Sequence, residues 1–155
     1  MSAEFDQYTK PKAAALHSTT RSLPIALNRA RESLMGPIRE MLAKTGLTEQ
    51  QWRVLRVLAE YGPQEATKLA ERASLLLPSQ SRIVQTLVEK GLVERSQDKR
   101  DRRRQTLAVT HKGMEIIEEN VPRALELARD VEQALGREKL ETLLEILREL
   151  HQLKR

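Results

Sequence analysis

The sequence predicts a mainly α-helical protein carrying one small β-hairpin, on three observations. Only 3% of the 155 residues are aromatic against 32% charged, a Leu/Ala/Glu/Arg composition that suits helices and is poor material for a sandwich or barrel. Apolar residues recur at three- and four-residue steps over most of the chain. One stretch, around a cationic run near residue 100, alternates instead.

Residues 1–21 hold Pro11 and a brief Ala13-Ala14-Ala15-Leu16 run without a sustained period, and read as a flexible arm. From Leu23, the apolar residues Leu27, Ala30, Leu34, Ile38 and Met41 mark an amphipathic first helix that ends near Thr45-Gly46, with Gly36-Pro37 a candidate bend. Thr48 and Gln51 have capping-box spacing, and Trp52, Leu55, Leu58 and Ala59 share one face of a second helix stopped by Tyr61-Gly62-Pro63. A short helix over 67–73 and an apolar link, Leu75-Leu76-Leu77, lead to Pro78. Proline suits a first helical turn, so a further helix opens there, runs to Lys90 and stops at Gly91. Residues 92–95 and 106–110 read as two strands flanking the polar segment 96–105, the only sheet expected. Helices return over 112–135 and 137–153, divided by Gly136, with Ile117, Val121, Ala124, Ala128, Val131 and Leu135, then Leu140, Leu143, Leu147 and Leu150, in heptad-like steps.

Several function classes drop out. Cysteine is absent and His occurs only at 17, 111 and 151, which removes disulfides, thiol chemistry and Cys/His zinc clusters, so neither metal nor cofactor is expected. No Gly-rich phosphate loop or nucleophile–base pair speaks for an enzyme. No run approaches the roughly 18 apolar residues of a membrane span. The N-terminus, with Glu4 and Asp6, lacks an apolar signal core, so a cytoplasmic protein that engages no membrane is expected.

What remains is charge and where it clusters. The net charge is +5, and within 94–104 six cations (Arg95, Lys99, Arg100, Arg102, Arg103, Arg104) face three acids (Glu94, Asp98, Asp101). A hairpin tip this basic suits a phosphate backbone or a minor groove. On the helix opened by Pro78, Ile83, Val84, Leu87 and Val88 share one side; Ser81, Arg82, Gln85, Thr86 and Glu89 share the other. Ser79, Ser81, Arg82, Gln85 and Thr86 are donors and acceptors able to reach base edges or phosphates from a major groove. Ser79 can instead assist the helix start. A helix-turn-helix followed by a cationic hairpin is the winged-helix order, with helix and wing engaging adjacent grooves. The bland readings are a solvated loop and a wet helix face; a protein-interaction module of long amphipathic helices, its basic hairpin incidental, is the alternative function.

Leu47-Thr48-Glu49-Gln50-Gln51-Trp52-Arg53, Lys90-Gly91-Leu92-Val93, and Asp101-Arg102-Arg103 leading to Leu107-Ala108-Val109-Thr110-His111-Lys112-Gly113 resemble the MarR family of transcription regulators, over about residues 23–153. Within it, Ala30-Arg31-Glu32 and the Gln-Gln-Trp-Arg string are similar to those of repressors of homoprotocatechuate degradation operons. The resemblance implies a homodimer built from the first and last helices, each subunit offering a winged helix to half of a pseudo-palindromic operator in double-stranded DNA. The family's Asp-x-Arg falls on Asp101 and Arg103, the Arg entering the minor groove and the Asp holding it; Arg102 and Arg104 are basic as well.

Dimerisation follows from physics too, because the last helices carry more apolar surface than one small module covers, and pairing buries it at about 25 cal/mol per Å². The expected organisation is an arm at 1–21, a first dimerisation helix at 22–46, a winged helix-turn-helix at 47–111 and C-terminal dimerisation helices at 112–155. Arg31 breaks the apolar stripe of the first helix, and a guanidinium there wants an anion: a structural carboxylate across the dimer, or the carboxylate of a ligand. The resemblance adds that family members bind small aromatic acids near the first two helices. Arg31 for the carboxylate and Trp52 for the ring then form the effector hypothesis, with His17, Arg53 and Arg56 as further candidates. The expected function is a repressor of an aromatic-compound catabolic operon, released by a small aromatic acid.

Overall fold

The computed structural model describes Leu16 and residues 18–153, so the reading of His17 and most of the arm lies outside the described residues. The chain divides into two compact units, residues 1–37 and residues 38–155. A single 3-10 turn, Thr19–Arg21, precedes helix α1, Leu23–Leu42, so helical structure starts before Ser22. Pro37 lies inside α1, which continues past it for another turn. The helix stops at Leu42, short of the expected Thr45-Gly46. The Thr45 amide and hydroxyl both donate to the Leu42 carbonyl, at 2.9 and 2.7 Å, and Gly46 takes a left-handed φ of 69°.

Helix α2, Glu49–Tyr61, begins with the full capping box. Thr48 Oγ1 accepts from the Gln51 amide at 3.2 Å, and Gln51 Oε1 accepts from the Thr48 amide at 3.0 Å. Then come β1 (Gln64–Glu65), α3 (Ala66–Ala73), α4 (Leu77–Glu89), β2 (Val93–Gln97), β3 (Gln105–Val109), α5 (His111–Leu135) and α6 (Arg137–His151). The short strand β1 is a correction to the expected two-stranded sheet. The strand order is β1-β3-β2, both pairs antiparallel, with Gln64 opposite Leu107 and Arg95 also opposite Leu107 on the other side. Two residues after a proline carry no period to read; pairing with β3 closes an edge that would otherwise present bare N–H and C=O groups.

The core of the second unit gathers Leu42, Leu47, Trp52, Val54, Leu55 and Leu58 with Leu69, Ala73, Val84, Leu87, Leu92, Val93, Leu107 and Ile117. Each fully buried leucine contributes about 1.5–3 kcal/mol relative to exposure. Helix α5 is seated on this core by its first turn. Thr110 Oγ1 accepts from the Gly113 amide at 3.1 Å and donates to the Gly91 carbonyl at 2.7 Å, while the Thr110 amide donates to Leu92 O at 3.0 Å. Gly113 is where α5 touches β3 and the start of β2. A Cβ there would collide with the Leu92 carbonyl oxygen and lie 2.7 Å from Val109 Cγ2.

Gly113→Ala is therefore expected to destabilise by about 1–3 kcal/mol through overpacking, although alanine is the better helix former by about 1 kcal/mol. Denaturant titration checks this; unchanged or raised stability would disprove the close approach.

Candidate nucleic-acid interface

The helix-turn-helix joint is built by α2 gripping the end of α3. Arg53 places Nε 3.1 Å from Glu49 Oε1 and Nη2 3.2 Å from Glu49 Oε2, one helical turn earlier. Its Nη1 donates to the carbonyls of Ala73 at 2.9 Å and Ser74 at 3.4 Å. A cation at the C-terminal carbonyls of α3 is favourable to the helix dipole. Ser74 takes a left-handed φ of 52° and turns the chain; its amide and that of Leu75 close back onto Glu71 O and Ala70 O. Gln80 is 1% exposed, and its Nε2 donates to Ala66 O at 2.6 Å, tying the first turn of α4 to the first residue of α3. Sequence reasoning missed Gln80, because a polar residue near a helix start looks like surface.

With the joint fixed, α4 turns Val84 and Leu87 inward and leaves Ser79, Ser81, Arg82 and Gln85 exposed, with Thr86 half-buried. Thr86 Oγ1 donates to Arg82 O at 3.1 Å, which leaves its lone pairs outward as acceptors. Ser79 does not start the helix: the cap position is Leu76, with no side-chain cap, and the proline stands in the first turn as expected. Ser81, Arg82, Gln85, Thr86 and Glu89 line one open depression together with Arg95 from β2. Helix and wing thus meet along a shared polar surface.

The wing tip is shaped by its acids. Asp98 Oδ1 accepts from the Arg100 amide at 2.9 Å and Asp101 Oδ1 from the Arg103 amide at 3.0 Å. The Arg104 amide donates to Asp101 O, and the Asp98 amide to Arg104 O, each at 3.0 Å. Asp101 therefore holds Arg103 by its backbone, where the resemblance implied a hold on the arginine itself. Arg104 Nε lies 3.8 Å from Glu65 Oε1, a surface pair worth about 0–1 kcal/mol. Arg100, Asp101, Arg102, Arg103 and Arg104 are all exposed.

The effector candidates are placed less uniformly. Arg31 is exposed on α1 in the first unit. On α2, Arg56 is exposed, Trp52 is 6% exposed and belongs to the core, and Arg53 is committed to Glu49 and the end of α3.

The model of the MarR family matches residues 47–104, the stretch from the start of α2 to the wing tip. The HTH-type transcriptional regulator FarR of Neisseria gonorrhoeae is 40% identical over 129 residues, 83% of this chain and 88% of that protein. The homoprotocatechuate degradative operon repressor of Escherichia coli is 35% identical over 128 residues, 83% of this chain and 86% of that one. Among solved structures, NadR in complex with 4-hydroxyphenylacetate superposes with a TM-score of 0.77 at 37% identity, covering 90% of this chain and 99% of that one. These relatives are regulators rather than enzymes. A shared helix-turn-helix and wing, on relatives matched over most of both chains, make this chain a member of the MarR family of transcriptional regulators.

Proposed function

We propose that the protein is a dimeric, ligand-responsive DNA-binding repressor of an aromatic-compound catabolic operon, acting in the cytoplasm and released by a small aromatic acid. The observation that carries this reading is the polar face of α4 lying beside the cationic wing, with Arg95 lining the same depression as Arg82 and Gln85. Ser81, Arg82, Gln85 and Thr86 enter the major groove, with Ser79 at its rim. Arg100, Arg102 and Arg103 meet phosphates or the flanking minor groove. Arg103 sits on the Asp101 turn and occupies the arginine position of the family's Asp-x-Arg, so Arg103 is the residue assigned to the minor groove.

Dimerisation falls to helices whose apolar residues lack cover in a single chain. Leu23 and Leu34 on α1 are 53% and 49% exposed, and on α5 and α6 Leu125, Leu144 and Ile146 are 49%, 48% and 54% exposed. A second copy that covers them sets the two α4 helices one turn of DNA apart, or a multiple, so the operator is an inverted repeat with half-sites spaced by roughly 10 base pairs. In domain terms, α1 and the helices after residue 111 dimerise, and 47–111 reads DNA.

For the effector, two relatives point the same way: one represses a homoprotocatechuate operon and another is solved with 4-hydroxyphenylacetate, both phenolic arylacetates. Arg31 is assigned to the carboxylate, with Arg56 a further exposed cation, on α2; Trp52 and Arg53 hold α2 in place. The effector lowers DNA affinity only by as much as it prefers the conformation that binds DNA poorly.

Binding assays on sites selected from random duplex test this. Arg82→Ala is expected to cost about 1–3 kcal/mol on the selected site and less on random duplex; equal losses would make it a phosphate contact. Arg103→Ala is expected to weaken both alike and to reduce the slope of log K against log salt by about 1; an unchanged slope removes the wing contact. Arg31→Ala is expected to abolish release by phenolic acids while operator affinity stays within about twofold; a dimer that dissociates instead makes Arg31 structural.

A further inference from the structure

Gln85 is held at both ends of its amide. From β2, Arg95 Nη2 donates to Gln85 Oε1 at 2.9 Å; one helical turn further along α4, Glu89 Oε1 accepts from Gln85 Nε2 at 3.0 Å. All three side chains are exposed on the surface assigned above to the major groove. We propose that Arg95 and Glu89 form a clamp that fixes the polarity of the Gln85 amide and so make Gln85 an adenine-reading residue. This rests on the reading of α4 as the helix that contacts bases.

An amide offers two lone pairs on oxygen and two hydrogens on nitrogen. With one of each taken by Arg95 and Glu89, one acceptor and one donor remain, and the two bonds set which end of the amide carries which. In the major groove that pair matches adenine, which presents the N6 amino hydrogen beside the N7 acceptor. Guanine presents two acceptors, cytosine a donor and thymine an acceptor beside its methyl group. An unheld glutamine turns about a broad, roughly two-fold terminal torsion and can offer its nitrogen to guanine or its oxygen to cytosine. Held at both ends, it cannot make that exchange. The clamp also joins a cation to an anion, so it adds no net attraction for phosphate. Arg95 and Glu89 are thus positioning residues that act through Gln85.

Sites selected from random duplex by the full-length protein, and by Gln85→Ala, Arg95→Ala and Glu89→Ala, test the clamp. For the unaltered protein each half-site is expected to carry one adenine whose preference vanishes in Gln85→Ala, and replacing that adenine by 7-deazaadenine should weaken binding roughly tenfold. Arg95→Ala and Glu89→Ala change the charge in opposite directions, so a purely electrostatic role would move overall affinity oppositely and leave base preference alone. The clamp instead predicts that both flatten the preference at this one position, at least threefold, and spare the others. A Gln85-dependent position that is not adenine, or that keeps its preference in either clamp variant, overturns the proposal while leaving the helix as a base reader. Failure of the unaltered protein to enrich any sequence overturns that reading and the clamp with it.

Discussion

The polar face that α4 offers depends on how the helix is buried. Gln80, Val84 and Leu87, at steps of four and three residues, are 1%, 3% and 0% exposed and form the stripe by which the helix is fixed to the module. At 100° per residue, burying that stripe forces Ser81, Arg82 and Gln85 outward. Rotating the helix by one residue to present another set would expose Leu87, at about 1.5–3 kcal/mol, and strip Gln80 of its bond to Ala66 O. The core therefore sets which residues are offered.

The wing is positioned by the same packing. Strand β3 is shared by β1 and β2, and its Leu107 is buried against the core. Arg95 stands opposite Leu107 on β2 and reaches Gln85 on α4, so the strand register decides which hairpin residue meets the helix. A slip of one residue would move Arg95 to the other face of the sheet. The absence of a Cβ at Gly113 lets α5 lie close to Leu92 and Val109, beside the strand ends from which the hairpin projects. Reading helix and wing thus share one rigid base.

Most of this architecture was legible in the sequence because its signals are local. The capping box at Thr48 and Gln51, the proline in the first turn of α4 and the heptad steps of α5 and α6 each state a backbone preference that the core does not override. What was not legible is non-local or unsignalled. Strand β1 is too short to show alternation. The turn at Ser74 is left-handed without a glycine to announce it, and is held by Ala70, Glu71 and Arg53. Within the site, the exposed face of α4 followed from periodicity alone, but the engagement of Arg53 with Ala73, twenty residues on, and of Arg95 with Gln85 depends on tertiary placement that spacing cannot supply. Nothing in the spacing of Arg53 announces that it bonds Glu49 and the end of α3.

The acids in the wing bear on how its cations work. Three carboxylates among six cations look like a dilution of the field that phosphate would meet, yet Asp98 and Asp101 sit where they accept backbone amides and close the turn. A tip without those bonds would have to be ordered on binding, at about 1–2 kcal/mol per residue fixed. Two such turns spare several residues that cost, while screening by salt over about 8–10 Å already limits what two further positive charges would add. Shape fixed before binding outweighs charge removed, which is why an aspartate two residues ahead of an arginine suits a cationic tip: Asp101 holds Arg103 by its backbone and leaves the guanidinium exposed.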